Sequence, residues 1–293
     1  MLKEKHKPFL KWVGGKTRLL KQLDNHLPNY IKQQEPFIYV EPFLGGGAMF
    51  FYLLNNYNVK QVHLNDINKK LINTYIEIKN NVNELIIVLK SLEQEYNDLM
   101  SQEKKKKFYL KKRKAFNSLN KCVEKSALLI FLNKTCFNGM YRENSKGEFN
   151  VPFGEMKSPK ICNTTLLLDL NRVLQNVEFT SKSFEKTFLK QPEFPAFYYL
   201  DPPYRAISKT SSFKDYSSEN DFNDHSQKKL KAFCDKINKS TNLFMQSNSF
   251  SNDDFFQNLY KNFNQKEIVV SRTIGADGSK RHKIKELIIY NYE

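Results

Sequence analysis

Strand-like apolar runs alternate with helical patterns in the first and last parts of this chain, whereas its middle reads as mainly helical. That distribution constrains the fold more than any other feature. Ile38-Tyr39-Val40 and Val62-His63-Leu64 read as strands on either side of a helical pattern over residues 47–56. The alternation resumes after residue 173. Residues 177–180, 197–200, 243–246, 267–271 and 286–290 have strand character, and a helix is expected over 226–239. Between the two blocks the apolar spacing is helical, clearest over 82–99 and 126–132. Residues 133–159, rich in Asn, Gly and Pro, are expected to form a loop or hairpin. The chain therefore reads as one α/β domain in two sequence halves, residues 1–75 and 173–293, interrupted by a mainly helical insertion, residues 76–172.

Composition narrows the possibilities further. Apolar residues make up 40% of the chain, enough for a core, and no run approaches the length of a membrane span. The basic opening, residues 1–8, is not followed by an apolar stretch with a small-residue cleavage site, so no signal peptide is expected. Cys122, Cys136, Cys162 and Cys234 are widely spaced with no C-x-x-C pair. This argues against a metal site and suits reduced thiols in a cytoplasm. Lys plus Arg outnumber Asp plus Glu by 47 to 31, and a formal charge of +16 points to a polyanionic partner. A coding bias toward Lys, Asn and Ile would produce the same excess, so charge alone favours nucleic acid only modestly. The Lys-dense stretch over 104–114 suits a solvated helix face better than a binding patch.

Chemistry concentrates where the strands end. Asp201-Pro202-Pro203-Tyr204 directly follows the apolar run 197–200. In an open α/β sheet, ligands bind beyond the carboxyl ends of the strands. The prolines carry no N–H, leaving their carbonyls free to accept hydrogen bonds. A carboxylate, a free carbonyl and an aromatic ring at one strand end suit an exocyclic amine on a flat heterocycle. Taken alone, the tetrapeptide fits a turn with a core tyrosine equally well.

Glu41-Pro42-Phe43-Leu44-Gly45-Gly46-Gly47 lies between the first strand and the first helix, where glycines permit a tight turn and close approach to a ligand. The spacing is not the G-x-G-x-x-G of dinucleotide sites. Asp66 closes the next strand, where such folds hold ribose hydroxyls on a carboxylate. A glycine turn with a ribose acid but no phosphate cradle favours an adenosine-containing ligand lacking phosphate, S-adenosylmethionine foremost. By itself Asp66 would equally serve as the N-cap of a helix over 69–79. Gly14-Gly15-Lys16-Thr17 is not a P-loop, because Leu10 occupies the position of the required first glycine and no apolar strand precedes it.

In this order, the motifs resemble the DNA adenine-N6 methyltransferases of the Dam type (D12 class, α group). Pro8-Phe9-Leu10-Lys11-Trp12-Val13-Gly14-Gly15-Lys16 is similar to that family's opening motif, and Asn65-Asp66-Ile67-Asn68 to its ribose-binding motif. The glycine turn is similar to its cofactor turn, and Asp201-Pro202-Pro203-Tyr204 to its catalytic signature. Phe137-Asn138-Gly139-Met140-Tyr141-Arg142 and the following 147–154 are similar to its DNA-reading hairpin.

The resemblance implies a Rossmann-like S-adenosylmethionine-dependent methyltransferase sheet with a target-recognition insertion bearing a β-hairpin. It places Trp12, Lys16, Asp66 and Asp201 in the cofactor site, with Phe43 and Gly45 against it. It implies methyl transfer to N6 of an adenine flipped out of duplex DNA, within GATC. Asp201 and the Pro202 carbonyl would accept the N6 hydrogens, and Tyr204 would stack on the base. Arg142 would pair with a guanine edge, Phe137, Asn138, Met140 and Pro152 would contact or wedge near the site, and Lys11 would touch phosphate. Without its surrounding motif, Arg142 reads as a surface salt bridge.

Phe213 and Tyr216 resemble the family's loop over bound DNA. Arg272, Lys280, Arg281, Lys283 and Lys285 suit a further backbone contact or a solvated hairpin. The family often has an acidic residue where this chain has Lys182-Ser183-Phe184, which leaves Ser183 and Phe184 as weaker candidates for contact with the cofactor's adenine. The partner expected is double-stranded DNA, for a monomer in the cytoplasm that works either alone or beside a separately acting restriction endonuclease. Two rival readings are an amine methyltransferase acting on RNA or protein glutamine, and a catalytically silent cofactor- and DNA-binding module.

Overall fold

The computed structural model describes residues 6–12, 14–205, 222–250, 253–271 and 283–293. A single seven-stranded sheet runs in the order β3-β2-β1-β4-β5-β7-β6. Its parallel part comprises β1 (Phe37–Glu41), β2 (Val59–Asn65), β3 (Val177–Thr180), β4 (Ala196–Leu200) and β5 (Leu243–Ser249). β7 (Lys283–Tyr290) lies antiparallel to β5, and β6 (Asn264–Ser271) lies antiparallel to β7. The two sequence halves meet where β1 pairs with β4, with Ile38 opposite Ala196.

The central strands are apolar at nearly every position because layers cover both of their faces. Every residue of β1 and β4 is buried. Phe37, Tyr39, Phe197, Tyr199 and Ile288 join one core, while Ile38, Val40, Tyr198, Leu200, Leu287 and Ile289 join the other, following the two-residue period of a strand. The first core also takes in α1 (Leu20–Asp24), α2 (Asn29–Lys32), α3 (Ala48–Asn56) and α4 (Lys69–Asn80). The helices of the insertion join that same cluster: α5 (Val82–Asn97), α6 (Gln102–Ser118), α7 (Val123–Thr135) and α8 (Thr164–Leu174). α9 (Asp224–Asn238) and α10 (Phe255–Leu259) cover the opposite face.

Local chemistry moves some boundaries from those expected. α7 continues through Thr135 rather than stopping at Leu132, because its late polar side chains have partners. Thr135 bonds back to the Phe131 carbonyl and Asn133 is taken up by Lys11 and Gly139. The N-cap of α4 is Asn68, which accepts from the amides of Lys70 and Leu71, so Asp66 is released from that task. Residues 133–159 contain no regular strand. The bridges Cys136↔Phe153 and Glu143↔Phe149 hold them as an irregular hairpin. Over 104–114 the helix buries only Lys105 and Tyr109, as a solvated face requires. Among the described residues no helix is long and apolar enough to cross a membrane.

The chain passes from β1 to β2 on one side and β4 continues the sheet on the other. This is the topological switch point of an open sheet, and the crevice beyond its carboxyl ends is the natural ligand site. The glycine turn after β1 and the tetrapeptide after β4 both open there.

Candidate active site

Three strand ends are tied together at the glycine turn. Asn65, buried at the end of β2, donates through Nδ2 to the carbonyls of Pro42 (2.9 Å) and Lys182 (3.0 Å). Its Oδ1 accepts from Thr180 Oγ1 (2.8 Å) and the Lys182 amide (2.9 Å). The turn itself is set by Gly45 at φ +49°. Its N–H donates to Asp66 Oδ2 at 2.9 Å, while Asp66 Oδ1 accepts the Asn68 N–H at 2.9 Å. Burial raises the pKa of Asp66, against the pull of those two N–H donors.

The indole of Trp12 lies so close that a Cβ on Gly45 would sit 2.8 Å from its Cδ1. The other side of Trp12 stacks on Tyr141, with centroids 4.9 Å apart and planes at 22°. Behind the turn, burial pushes the Glu41 carboxyl well above its usual range, helped by the charges of Asp201 and Asp66 and opposed by Tyr39.

Asp201 follows β4 and meets a buried cation. Lys16 Nζ lies 3.1 Å from Asp201 Oδ1, 3.3 Å from Glu286 Oε2 and 2.6 Å from the Tyr204 hydroxyl. Burial opposes the charge on Lys16, but Asp201, Tyr204 and Glu286 together hold its pKa above the usual value. Asp201 itself is pushed up to about 6, burial outweighing the attraction of Lys16 and Glu286 adding repulsion. The Tyr204 hydroxyl also donates to Glu286 Oε1 at 2.8 Å, and burial raises its pKa. Pro202 is buried and Pro203 exposed. The site thus offers a carboxylate that ionises near neutrality beside a ring fixed at its hydroxyl.

The other expected residues fall into two groups. Phe43 and Phe184 pack at 5.4 Å and share Phe222 as a third ring, while Ser183 is exposed and bonded to Glu185. At the hairpin, Phe137, Asn138 and Pro152 are exposed and Met140 is half-buried. Arg142 Nε donates to Asn150 Oδ1 at 2.7 Å, so its guanidinium is steadied across the hairpin. Lys11 is exposed, and its backbone is gripped by Asn133, which accepts from the Lys11 N–H (3.0 Å) and donates to the Lys11 carbonyl (2.8 Å). Lys70 at the start of α4 reaches Glu143 at 2.6 Å and the Gly147 carbonyl.

Phe213, Tyr216, Arg272, Lys280 and Arg281 lie outside the described residues, as does the side chain of Lys283. Lys285 pairs with Glu267 at 2.9 Å. Sequence reasoning missed Glu286, Ser247 and Asn133, and gave Asn65 no role beyond its place in the ribose-binding motif. The one available signal was an acidic residue at the head of the apolar run 286–290.

An open α/β sheet with an antiparallel final pair, a glycine turn and acid after β1 and β2, and Asp-Pro-Pro-Tyr after β4 together define a Rossmann-like methyltransferase. The chain belongs to the D12 class N6 adenine-specific DNA methyltransferases, whose family model matches residues 12–274. It is similar to the Type II methyltransferase M.MjaIII of Methanocaldococcus jannaschii, at 46% identity over 98% of this chain and 99% of that protein. It is also similar to the Type II methyltransferase M1.LlaDCHI of Lactococcus lactis subsp. cremoris, at 36% identity over 98% and 95%. The DNA adenine methylase of Haemophilus influenzae is 34% identical over 98% and 94%. The protein is a DNA adenine methyltransferase.

Proposed function

We propose that this enzyme moves a methyl group from S-adenosylmethionine to N6 of an adenine flipped out of duplex DNA, within GATC. The observation that carries the reading is the position of Asp201, at the switch point beside the turn where Gly45 and Asp66 are bonded. The residues around that turn fit the cofactor. Each Asp66 oxygen spends one lone pair on a backbone N–H and keeps another for a ribose hydroxyl. Gly45, having no Cβ, lets the Trp12 indole lie directly against the turn, and Ile67, next to Asp66, is 59% exposed and able to cover a flat base. S-adenosylmethionine supplies an electrophilic methyl group on a sulfonium.

The chain's own residues handle the amine. The N6 lone pair is delocalised into the purine, so the amine attacks poorly until hydrogen-bond acceptors localise it. Asp201 and the Pro202 carbonyl would accept its two hydrogens, and preorganised acceptors aimed at developing charge are a large catalytic effect. As the N–CH3 bond replaces the S–CH3 bond and a neutral thioether departs, one N6 proton would pass to Asp201, whose pKa of about 6 would let it return that proton to solvent at neutral pH. Tyr204 would stack on the extruded base, a contact of roughly 1–3 kcal/mol.

Residues 76–172 are proposed as the target-recognition part and residues 1–75 with 173–293 as the catalytic part. Arg142 would read a guanine edge, with Phe137, Asn138, Met140 and Pro152 near the site and Lys11 on phosphate. The enzyme is proposed to act as a cytoplasmic monomer, and the name Type II methyltransferase, borne by two relatives, supports a separately acting restriction endonuclease as partner. Methyl transfer from labelled cofactor to unmethylated duplexes tests the reading. Preference for adenine in GATC over single-base variants is expected, and transfer to RNA or polypeptide instead would overturn it.

A further inference from the structure

Glu286 lies on β7, beyond the residues matched by the family model. It shares a strand face with Ile288, whose role is packing, and it is buried. A carboxylate taken out of water is costly unless it is paired and hydrogen-bonded, so its partners indicate its purpose. Oε1 accepts the Tyr204 hydroxyl at 2.8 Å, while Oε2 accepts Ser247 Oγ at 3.0 Å and lies 3.3 Å from Lys16 Nζ. Two of these three partners also surround Asp201. The third, Ser247 on β5, fixes the carboxylate from behind.

We propose that Glu286 is a positioning residue for methyl transfer, holding Lys16 off full pairing with Asp201 and pinning the hydroxyl of Tyr204. The proposal rests on the reading of Asp201-Pro202-Pro203-Tyr204 as the transfer site. Among the described residues, Asp201 and Glu286 are the carboxylates paired with Lys16. With Glu286 neutral, the ammonium has one carboxylate left and is drawn onto the Asp201 oxygen that the substrate amine needs. Tyr204 exchanges a charged acceptor for a neutral one at the same time, so its hydroxyl is held less firmly. Glu286 thus keeps Asp201 open to substrate while leaving the ammonium of Lys16 within 3.1 Å of it.

The electrostatic consequence distinguishes this role from a packing role. Asp201 is faced by Lys16 from the opening segment, Glu286 from β7, Tyr204 from its own turn, Glu41 and Tyr39 from β1 and Tyr199 from β4. Removing the Glu286 charge removes a repulsion that raises Asp201, so the acid limb of activity moves to lower pH. A defect in packing alone would leave that limb in place.

The test uses the full chain, tritiated S-adenosylmethionine and unmethylated plasmid DNA, which makes it independent of the GATC assignment. Glu286→Gln is expected to lower kcat by about tenfold, the loss of one charge-assisted bond network, with KM for both substrates within about twofold of wild type. Its acid limb is expected at lower pH. Wild-type kcat in a folded Glu286→Gln protein, or a loss confined to KM with the limb unmoved, overturns the proposal. Should Glu286→Gln fail to fold, Ser247→Ala loosens the same carboxylate without touching Lys16 or Tyr204. A severalfold fall in kcat then supports the role and an unchanged kcat rejects it. Asp201→Ala, run in parallel, separates the two ideas. An active Asp201→Ala protein sinks the transfer-site reading itself, whereas an inactive one beside an unaffected Glu286→Gln sinks only the positioning role.

Discussion

The Lys16 ammonium lies 3.1 Å from the Asp201 carboxylate, joining the opening segment of the chain to the end of β4. The Lys16 side chain is 3% exposed, so this is a buried pair rather than a surface one. It connects folding to the proposed chemistry, because the carboxylate proposed to take the target amine is paired with a cation from the far end of the sequence.

Replacing Lys16 by Met would leave Asp201 and Glu286 buried beside each other without a cation. Breaking a buried pair from one side costs about 3–5 kcal/mol, and a loss of unfolding free energy of that size is expected at neutral pH. Lys16 also holds down the pKa of Asp201. In wild type, kcat/KM should rise with pH through about 6 as Asp201 ionises, and in folded Lys16→Met that rise should move to higher pH. Denaturant titration and a pH–rate profile check both outcomes.

Gly45→Ala tests the proposed cofactor turn. The backbone at φ +49° disfavours an L side chain, and the new Cβ would press on the Trp12 indole. A destabilisation of roughly 1–3 kcal/mol is expected, with a raised KM for S-adenosylmethionine and little change in DNA affinity. Calorimetric titration of the cofactor measures the effect directly.

Glu41→Gln concerns the carboxyl beneath that turn. Burial lifts the folded-state pKa of Glu41 well above 4.5, so the folded form prefers the proton. The stabilisation from that proton is complete below the unfolded pKa and declines as pH rises toward the folded value, by about 1.4 kcal/mol per pH unit. Gln cannot ionise and removes the decline. Glu41→Gln should therefore match wild type near pH 5 and exceed it progressively at higher pH, as thermal melts across that range would show.

Much of this arrangement was legible in the sequence, for identifiable reasons. β1 and β4 are buried on both faces, so their apolar runs stand out, whereas Val59-Lys60-Gln61 at the start of β2 has two exposed polar residues and hid the true strand length. Asp66, Gly45 and Asp201 were legible because each sits where an apolar run stops. Lys16 came only from family resemblance, since nothing local shows that its ammonium is buried. Glu286 depends on register, with β7 bringing it opposite Ser249 on β5 and its side chain over Ser247. Asn133 looked like a loop opener because its partners, Lys11 and Gly139, are contacts no helical period encodes.

The central claim is that Asp201 accepts the target amine, and single-turnover methyl transfer by Asp201→Ala tests it most directly. The variant should fold and bind duplex DNA with near wild-type affinity, while transfer falls by about a thousandfold or more, as for loss of a preorganised stabilising group. Transfer at near wild-type rate by the folded variant would contradict the account.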